Sequence, residues 1–519
     1  MSERRSTQGR RPRSEAAVTG SGRDPFGGTD AGLTKRRGLA VGILVVVALL
    51  AASSGIVESG AGRDRSPVLA ERSVTVVSDE GVPRAVSVSR SLFDSATEAV
   101  VVPAGAATAD IQRGEEIAER GRLPMFAVDD AGAAAVADEL ERLGVRRVIG
   151  LGGATPDLGV PVENEDAADD GSSAVPSAAA AQNPMALVLD DDRAAVATAE
   201  SAGVAVVPVP VADPRANGAS VAALKSDVGA PVLAFGTEFG TRQEVEERIA
   251  LARSVPELSG GGQIVFPGRR IVALYGSPGV PALGPLGAQG IEASIKRARH
   301  AARKYDKVSD APVVPAFEII ATVASADPGF RGQYTNVVDP KRLRPWVDAA
   351  RAAGVYVTLD LQPGRMDFLT QAKMYRDLLL EPHVGLALDP EWRLKPDQQH
   401  LTQIGAVEPA EVNRTSDWLA GLVRDNHLPQ KAFVLHQFDA AMLGDRSKLD
   451  VSHPELATVV HADGHGIPSV KMQTWRRIVN GLPPNVWLGW KNFYTEDTPM
   501  FSPARTLRVR PEPWFISYQ

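Results

Sequence analysis

VGLALDPEWRL, residues 384–394, begins with a short apolar run and then places two carboxylates at Asp389 and Glu391. Such a run is typical of a strand buried on both faces, as in a parallel sheet. Seven similar runs occur between residues 270 and 519, and amphipathic helical segments separate most of them. This alternation over about 250 residues predicts an α/β fold, a (β/α)8 barrel of the TIM type. The last connection has no clear helical segment, so a partly open barrel is also allowed.

The predicted strands matter for function because active groups of such barrels lie at the carboxyl ends of the strands. The strands are predicted at 271–276, 315–323, 355–363, 384–390, 431–438, 458–463, 485–493 and 513–519. Polar side chains recur at those ends, whereas Val, Pro, Lys or Asn occupy the strand starts.

Asp389 and Glu391 are the first candidates for catalysis. Residues i and i+2 of an extended chain point to the same side, roughly 6.5 Å apart, so both would reach the barrel mouth if the strand continued through Pro390. Hydrolysis of a sugar acetal needs one carboxyl group to protonate the leaving oxygen and another to attack or to activate water. Glu318 and Asp360 are the alternative members of the pair, and mutual repulsion would keep one carboxyl protonated near neutral pH.

Candidate substrate-binding groups combine hydrogen-bonding side chains with flat aromatic faces for sugar rings. They are His436, Gln437, Asp463, Trp392, Trp490 and Lys491. No cofactor is predicted. The D-x-E pair resembles that of the family-25 lysozyme-like glycoside hydrolases, whose barrels carry it at the end of a central strand. The first predicted strand, IVALYGSPG, lacks the Asp that this family places there.

Other interpretations of the same residues stay open. Asp-Pro-Glu is also a helix start, with Asp389 as N-cap and Glu391 in the first turn. Asp360 has a possible ion-pair partner in Arg365. The alternating His461, Asp463 and His465 would suit a metal ion if they converged, as in a metal-dependent hydrolase or polysaccharide deacetylase.

Composition limits the classes of function. The chain has 519 residues, a formal net charge of -7 and no cysteine. Disulfides and thiolate chemistry are therefore excluded. The negative charge argues against a nucleic-acid binder, and no folded segment stands out as a cluster of Lys and Arg.

The N-terminal segment predicts a membrane anchor. Residues 1–37 form a basic arm, expected to be disordered, and residues 38–57 are an uncharged apolar run of bilayer-spanning length. The basic flank predicts that the arm is cytoplasmic and that the rest of the chain lies outside. A cleaved signal peptide, which would make the protein secreted, is the competing interpretation.

Residues 73–267 alternate β-branched runs with Ala-rich amphipathic segments, which predicts parallel α/β structure with a low-complexity linker near 163–184. The stretch from Arg90 to Thr155, with SRSLFDSATEAVVVPAG and LERLGVRRVIGLGGAT, resembles the type 2 cell-wall-binding repeat of Gram-positive surface proteins. The resemblance implies attachment to wall polymers. A second α/β stretch, from MALVLDDD to Val265, is a possible degenerate copy.

Together these features predict a membrane-anchored, extracytoplasmic glycoside hydrolase-like protein that acts on cell-wall or extracellular polysaccharide. The alternative from another class is a non-catalytic wall-binding surface protein whose barrel has kept only its fold.

Overall fold

The computed structural model describes residues 74–77, 82–163, 174–177, 179–189 and 191–519. The predicted arm (1–37) and the predicted transmembrane helix (38–57) lie outside these residues. None of the helices in the described part of the chain is long and apolar enough to cross a membrane.

Residues 74–254 form parallel α/β structure, as predicted. Two four-stranded sheets have the orders β1-β10-β8-β9 and β4-β3-β5-β6, and β2 pairs with β7. The strands are β1 (Val74–Val77), β2 (Phe93–Ala96), β3 (Glu98–Pro103), β4 (Met125–Val128), β5 (Arg147–Gly150), β6 (Val162–Glu163), β7 (Ala174–Pro176), β8 (Met185–Leu189), β9 (Ala205–Val209) and β10 (Val232–Phe235). The helices are α1 (Arg84–Leu92), α2 (Thr108–Gly121), α3 (Ala133–Leu143), α4 (Arg193–Ser201), α5 (Gly218–Ser226) and α6 (Arg242–Ser254).

The two sheets are interleaved along the chain. β1 comes first in sequence but pairs with β10, with Val74 opposite Val232, and the chain builds the other sheet in between. One hydrophobic cluster joins the two sheets, since Val100 and Phe126 of one sheet cluster with Ala186 and Val188 of the other. A second cluster, which includes Leu187 and Val207, covers the other face of the β1-β10-β8-β9 sheet. Within the predicted linker, β7 pairs antiparallel with β2.

Residues 270–519 form the predicted barrel. Its elements in chain order are β11 (Arg270–Gly276), α7 (Ile291–Arg303), β12 (Val313–Ala324), β13 (Thr335–Val337), α8 (Pro340–Ala352), β14 (Tyr356–Leu361), α9 (Phe368–Met374), α10 (Arg376–Leu379), β15 (Val384–Leu388), α11 (Pro409–Asp425), β16 (Lys431–Gln437), β17 (Leu456–Ala462), α12 (Pro468–Val479), β18 (Trp487–Asn492), α13 (Pro503–Thr506) and β19 (Phe515–Tyr518).

The barrel is closed. Eight strands run parallel, and β11 pairs with both β12 and β19, which completes the ring. β13 is an addition that runs antiparallel to the end of β12. The connection from β16 to β17 has only 3-10 turns, at Ala440–Leu443 and Arg446–Lys448, and the last connection has the one-turn helix α13.

The chain that leads into the barrel closes its N-terminal end. Val265 and Phe266 cluster with inward-facing residues such as Ala273, Ala432 and Phe515. Gln430, just before β16, holds this segment in place, because its side-chain oxygen accepts a hydrogen bond from the backbone N–H of Val265 at 2.8 Å. The barrel interior is therefore apolar at one end, and polar groups collect at the other.

Candidate functional site

Strand alternation selects the side chains that line the barrel interior. Every second residue of a strand points to the same face, so on β15 the residues Leu386 and Leu388 pack against the helices while Ala387 faces inward. On the other strands the same alternation turns one polar or ionisable side chain each towards the upper part of the interior. They are Tyr275, Glu318, Asp360, His436, His461, Lys491 and Ser517, all buried.

His436 lies at the centre of this polar level. Its Nε2 is 3.0 Å from Glu318 Oε1 and its Nδ1 is 3.2 Å from Asp463 Oδ2, and Asp360 Oδ1 lies 3.8 Å from Nε2. Both ring nitrogens face carboxylates, which requires both to donate. Burial alone would lower the pKa of His436, but Glu318 and the other carboxylates raise it well above the ordinary value. His436 is therefore an imidazolium that bridges carboxylates from three other strands or strand ends.

His461 lies beside His436 but is uncharged. The two ring centroids are 4.8 Å apart, and His461 Nε2 is 3.1 Å from Ser517 Oγ. Burial, the His436 cation and Lys491 lower the pKa of His461 well below its ordinary value, so the ring is neutral. Gly489 on β18 makes room for this ring, because an added Cβ would lie 2.4 Å from His461 Cδ2.

Asp360 has a hydroxyl partner instead of the arginine considered from the sequence. Tyr275 Oη donates to Asp360 Oδ2 at 2.8 Å, whereas Arg365 donates to the backbone oxygen of Gln398. Burial, with the Glu318 charge, raises the pKa of Asp360 to about 6, although His436 acts in the other direction. Lys491 Nζ lies 3.6 Å from the centre of the Tyr275 ring, which places its charge directly above this group.

In the segment 384–394 the strand ends earlier than the sequence predicted. β15 ends at Leu388, and Pro390–Trp392 form one 3-10 turn. Asp389 occupies the N-cap position, but its side chain makes no capping hydrogen bond. The backbone of this segment thus begins a short helical turn, as the helix-start interpretation expects. The Asp389 carboxyl group, however, does not cap that turn.

The surroundings of Asp389 and Glu391 favour the protonated form of both carboxyl groups. Burial raises the pKa of Asp389 well above its ordinary value, with added repulsion from Glu391 and Asp360. Burial and the nearby Asp463 raise the pKa of Glu391 to about 7. Asp463 differs: burial would raise its pKa, but the hydrogen bond from His436 and the charges of His436 and Lys491 together lower it. Near neutral pH the site therefore contains both protonated and ionised carboxyl groups.

A cleft of about 400 Å³ leads from solvent to these groups. Glu391 and Asp463 line it together with Lys491, Arg477 and His465. Asp389 is 2% exposed and does not line the cleft, and Glu318 and Asp360 are fully buried below it. Of the four catalytic candidates, only Glu391 thus reaches the cleft, and Asp463, considered for binding, reaches it as well.

Two predicted binding residues lie elsewhere. Trp490 packs behind the barrel wall, where its ring is 5.4 Å from that of Trp475 on α12, because Lys491 takes the inward face of β18. Gln437 faces outward and donates to the backbone oxygens of Asp439 and Ala440. Neither side chain is available to a ligand in the cleft.

Trp392 is half-buried beside His400, with ring centroids 5.4 Å apart, and does not line the cleft. The residues of the metal alternative do not converge, since His461 reaches down to Ser517 whereas His465 is exposed beside Phe493. Among the described residues, the one group of three ligands close enough for a metal ion is Asp417, Asp450 and His453 on the surface.

Sequence reasoning missed four groups of the site. Tyr275 and Ser517 are the last inward residues of β11 and β19, so counting in steps of two from either strand would have found them. Arg477 of α12 and Gln519 also line the cleft, but they come from a helix and from the chain terminus. Their positions depend on how those elements pack, which no local pattern records.

The raised pKa of Glu391 should lower the free energy of unfolding at high pH. Its folded pKa of about 7 exceeds the ordinary 4.5, so the stability that the folded state gains from holding this proton is present below pH 4.5 and lost as the pH rises through 7. Glu391→Gln keeps the neutral form at every pH. We expect it to raise the free energy of unfolding by ~2 kcal/mol at about pH 8.5 and by almost nothing at about pH 4.5.

Urea unfolding of the two proteins at both pH values measures this difference. Glu496→Gln is the control, because Glu496 is exposed. Glu381→Gln would be a poor control, because the Glu381 carboxylate pairs with Arg344. Equal stability of Glu391→Gln and the unchanged protein at the higher pH would contradict the assignment of a protonated Glu391.

The fold and the site define this chain as a closed (β/α)8 barrel with a carboxyl-rich mouth centred on a buried imidazolium. Compared with family models, curated proteins and solved structures, the chain matches none. Its function is therefore argued from the chemistry of the mouth.

Proposed function

We propose that the barrel is a glycoside hydrolase that cleaves cell-wall or extracellular polysaccharide, with Glu391 as general acid and Asp463 as nucleophile or general base. One observation carries the proposal: two carboxyl groups line the same cleft, and their surroundings move their pKa values apart. Pairs of this kind divide the acid and base roles in glycoside hydrolysis.

Each residue of the proposed pair has the protonation state that its role needs. Glu391, with a pKa of about 7, keeps the proton that the leaving oxygen must receive. Asp463 is ionised, and the His436 N–H holds one of its oxygens while the other has no hydrogen-bond partner among the described residues. That second oxygen is buried and makes no competing hydrogen bond, so it would attack the sugar or take a proton from water once the side chain turns towards the cleft.

Asp389 takes a supporting role in this proposal, which changes the pair suggested by the sequence. It lies below the cleft, and burial, together with repulsion from Glu391 and Asp360, keeps its own carboxyl group protonated. Glu318 and Asp360 similarly stabilise the charge of His436, which in turn keeps Asp463 ionised.

The choice of polysaccharide rests on two further considerations. The apolar segment 38–57 predicts that the barrel lies outside the cytoplasm, and the resemblance of residues 90–155 to a wall-binding repeat implies attachment near wall polymers. Polar side chains of both charges line the cleft, as recognition of a heavily hydroxylated ligand requires.

Incubation of the full-length protein with a panel of cell-wall polysaccharides, followed by measurement of new reducing ends, tests the proposal. We expect release from at least one member, unaffected by a chelator. Release that a chelator abolishes would favour a metal-dependent hydrolase. If no polysaccharide is cleaved yet the protein sediments with walls, the barrel is a binding scaffold and the proposal fails.

The pH profile of hydrolysis is a separate prediction. The rate needs Asp463 ionised and Glu391 protonated, so it should be highest between the lowered pKa of Asp463 and about 7 and should fall as the pH rises through 7. The residual rate of Glu391→Gln should lack this alkaline fall. A profile that rises through pH 7 in the unchanged protein would contradict the role given to Glu391.

A further inference from the structure

A groove of about 720 Å³ lies on the outside of the barrel, away from the cleft. His300, Arg303, Lys304 and Lys307 line one side of it together with one carboxylate, Asp306, and Val308, and residues 502–504 at the start of α13 line the other. We propose that this groove binds a linear polyanion, namely a glycan or polyol chain with a carboxylate or phosphodiester group on each repeating unit. Such binding would hold the barrel on an anionic polymer whether or not the cleft is catalytic.

The groove concentrates positive charge in an acidic protein. Residues 296–307 contain six Lys or Arg and one acidic residue, Asp306, while the whole chain has a net charge of -7. The expectation that no folded segment is a cluster of Lys and Arg was therefore wrong for residues 296–307. His300 and Arg303 lie in the last turn of α7, and the turn at residues 304–308 brings Lys304 and Lys307 to the same groove.

These cations lack the ion-pair partners that several other barrel cations have. Arg344, Arg393 and Arg424, on or before neighbouring helices, pair with Glu381, Glu411 and Glu455 respectively. The exposed Arg303, Lys304 and Lys307 make no ion pair with any described residue. Like charges that face one groove repel each other, and a bound polyanion would remove that repulsion.

A helix end explains only part of the cluster. Cations near the C-terminus of a helix interact favourably with its dipole, and Arg303 fits that role as the last residue of α7. Lys304 and Lys307 lie beyond the helix. The last turns of α8, α9 and α11 contain one basic residue each, Arg351, Lys373 and Arg424, whereas that of α12 contains two, Arg476 and Arg477.

The shape of the groove favours a linear chain over a membrane or a duplex. An open groove can hold a single strand along its length, whereas a bilayer is flat and is usually contacted by protruding Trp, Phe or Leu side chains. Val308 is the one large aliphatic side chain along this groove, and Pro503 and Ala504 opposite it are small. Duplex nucleic acid needs many phosphate contacts from a broadly basic surface, which a chain of net charge -7 does not offer.

Binding of the full-length protein to polygalacturonate and to poly(glycerol phosphate) at low salt tests the proposal and distinguishes the carboxylate from the phosphodiester source. The triple variant Arg303→Glu, Lys304→Glu and Lys307→Glu should weaken binding of at least one polymer by about tenfold or more, and added salt should weaken it in the unchanged protein. Because residues 1–37 are also basic, the difference between variants of the full chain is the quantity to compare.

The control is a triple variant with the same charge change on other barrel helices, Lys341→Glu, Lys373→Glu and Arg414→Glu, all exposed. It should bind like the unchanged protein. The triple variant Arg303→Gln, Lys304→Gln and Lys307→Gln removes the positive charges without adding negative ones. If its melting temperature is unchanged, weaker binding reflects loss of charge and not loss of fold. Equal weakening by both Glu triples, or no weakening by the groove triple, would overturn the proposal. It would also be overturned if the groove triple lost binding only to anionic lipid vesicles or only to duplex DNA.

Discussion

Replacing Asp463 with Asn is expected to lower the rate of polysaccharide hydrolysis by roughly 10³-fold. Asn keeps an oxygen that can accept the His436 Nδ1–H, so the contact at 3.2 Å survives while the negative charge is lost. The loss should appear in kcat, because the charge acts on the sugar in the transition state and contributes little to binding the ground state. Rates of reducing-end release at about pH 6, with and without the substitution, measure it.

The matched control is Asp445→Asn, which changes an exposed Asp in the turns that follow β16. This variant should retain the full rate. Circular dichroism and urea unfolding must show that Asp463→Asn is folded. A folded Asp463→Asn protein with more than a tenth of the original rate would exclude Asp463 as nucleophile or base.

Replacing His436 with Leu is expected to destabilise the fold by about 3 to 5 kcal/mol, since removal of one member of a buried ionic group leaves uncompensated charge. Glu318 and Asp463 would lose their hydrogen-bond donor, and Asp360 would lose a nearby cation. The raised pKa of His436 means that its contribution is fully present below the ordinary value of 6.5 and is lost as the pH rises through the higher folded value. Urea unfolding at about pH 6 and about pH 9 measures both effects.

His453→Gln provides the comparison for this substitution. His453 also contacts a carboxylate, with Nε2 at 2.9 Å from Asp417 Oδ1, but this pair is on the surface. Its loss should change the free energy of unfolding by less than about 1 kcal/mol. Adding Glu318→Leu to His436→Leu should recover part of the lost stability. A loss below about 1 kcal/mol for His436→Leu would mean that the carboxyl groups around it are already neutral.

The barrel could be predicted from sequence because each of its strands is a local signal. Eight apolar runs with helical segments between most of them were sufficient to locate all eight strands to within two residues or so at most ends. Parallel pairing between sequential neighbours then follows from short right-handed connections. The α/β region was less readable, since β1 pairs with β10 across more than 150 residues and no local pattern specifies that partner.

The site could be predicted in part for the same reason. Glu318, Asp360, His436 and Lys491 are inward residues near strand ends, so alternation identifies them. Alternation also shows why Trp490 and Lys491 cannot both face the mouth, since neighbours on a strand point to opposite sides. The assignment of roles could not be predicted, because it depends on which carboxyl group meets His436, and Asp463 reaches that ring from a different strand.

The placement of Val265 and Phe266 under the barrel bears on how such a protein could be cut, fused or recombined. A gene fragment that starts at residue 270 would encode all eight strands but would leave Ala273, Ala432 and Phe515 facing an empty hole. The transferable module therefore begins upstream, near Leu258, which belongs to the same cluster. Any exchange of the barrel between proteins would have to include this short segment along with the strands, as though it were a ninth element of the barrel.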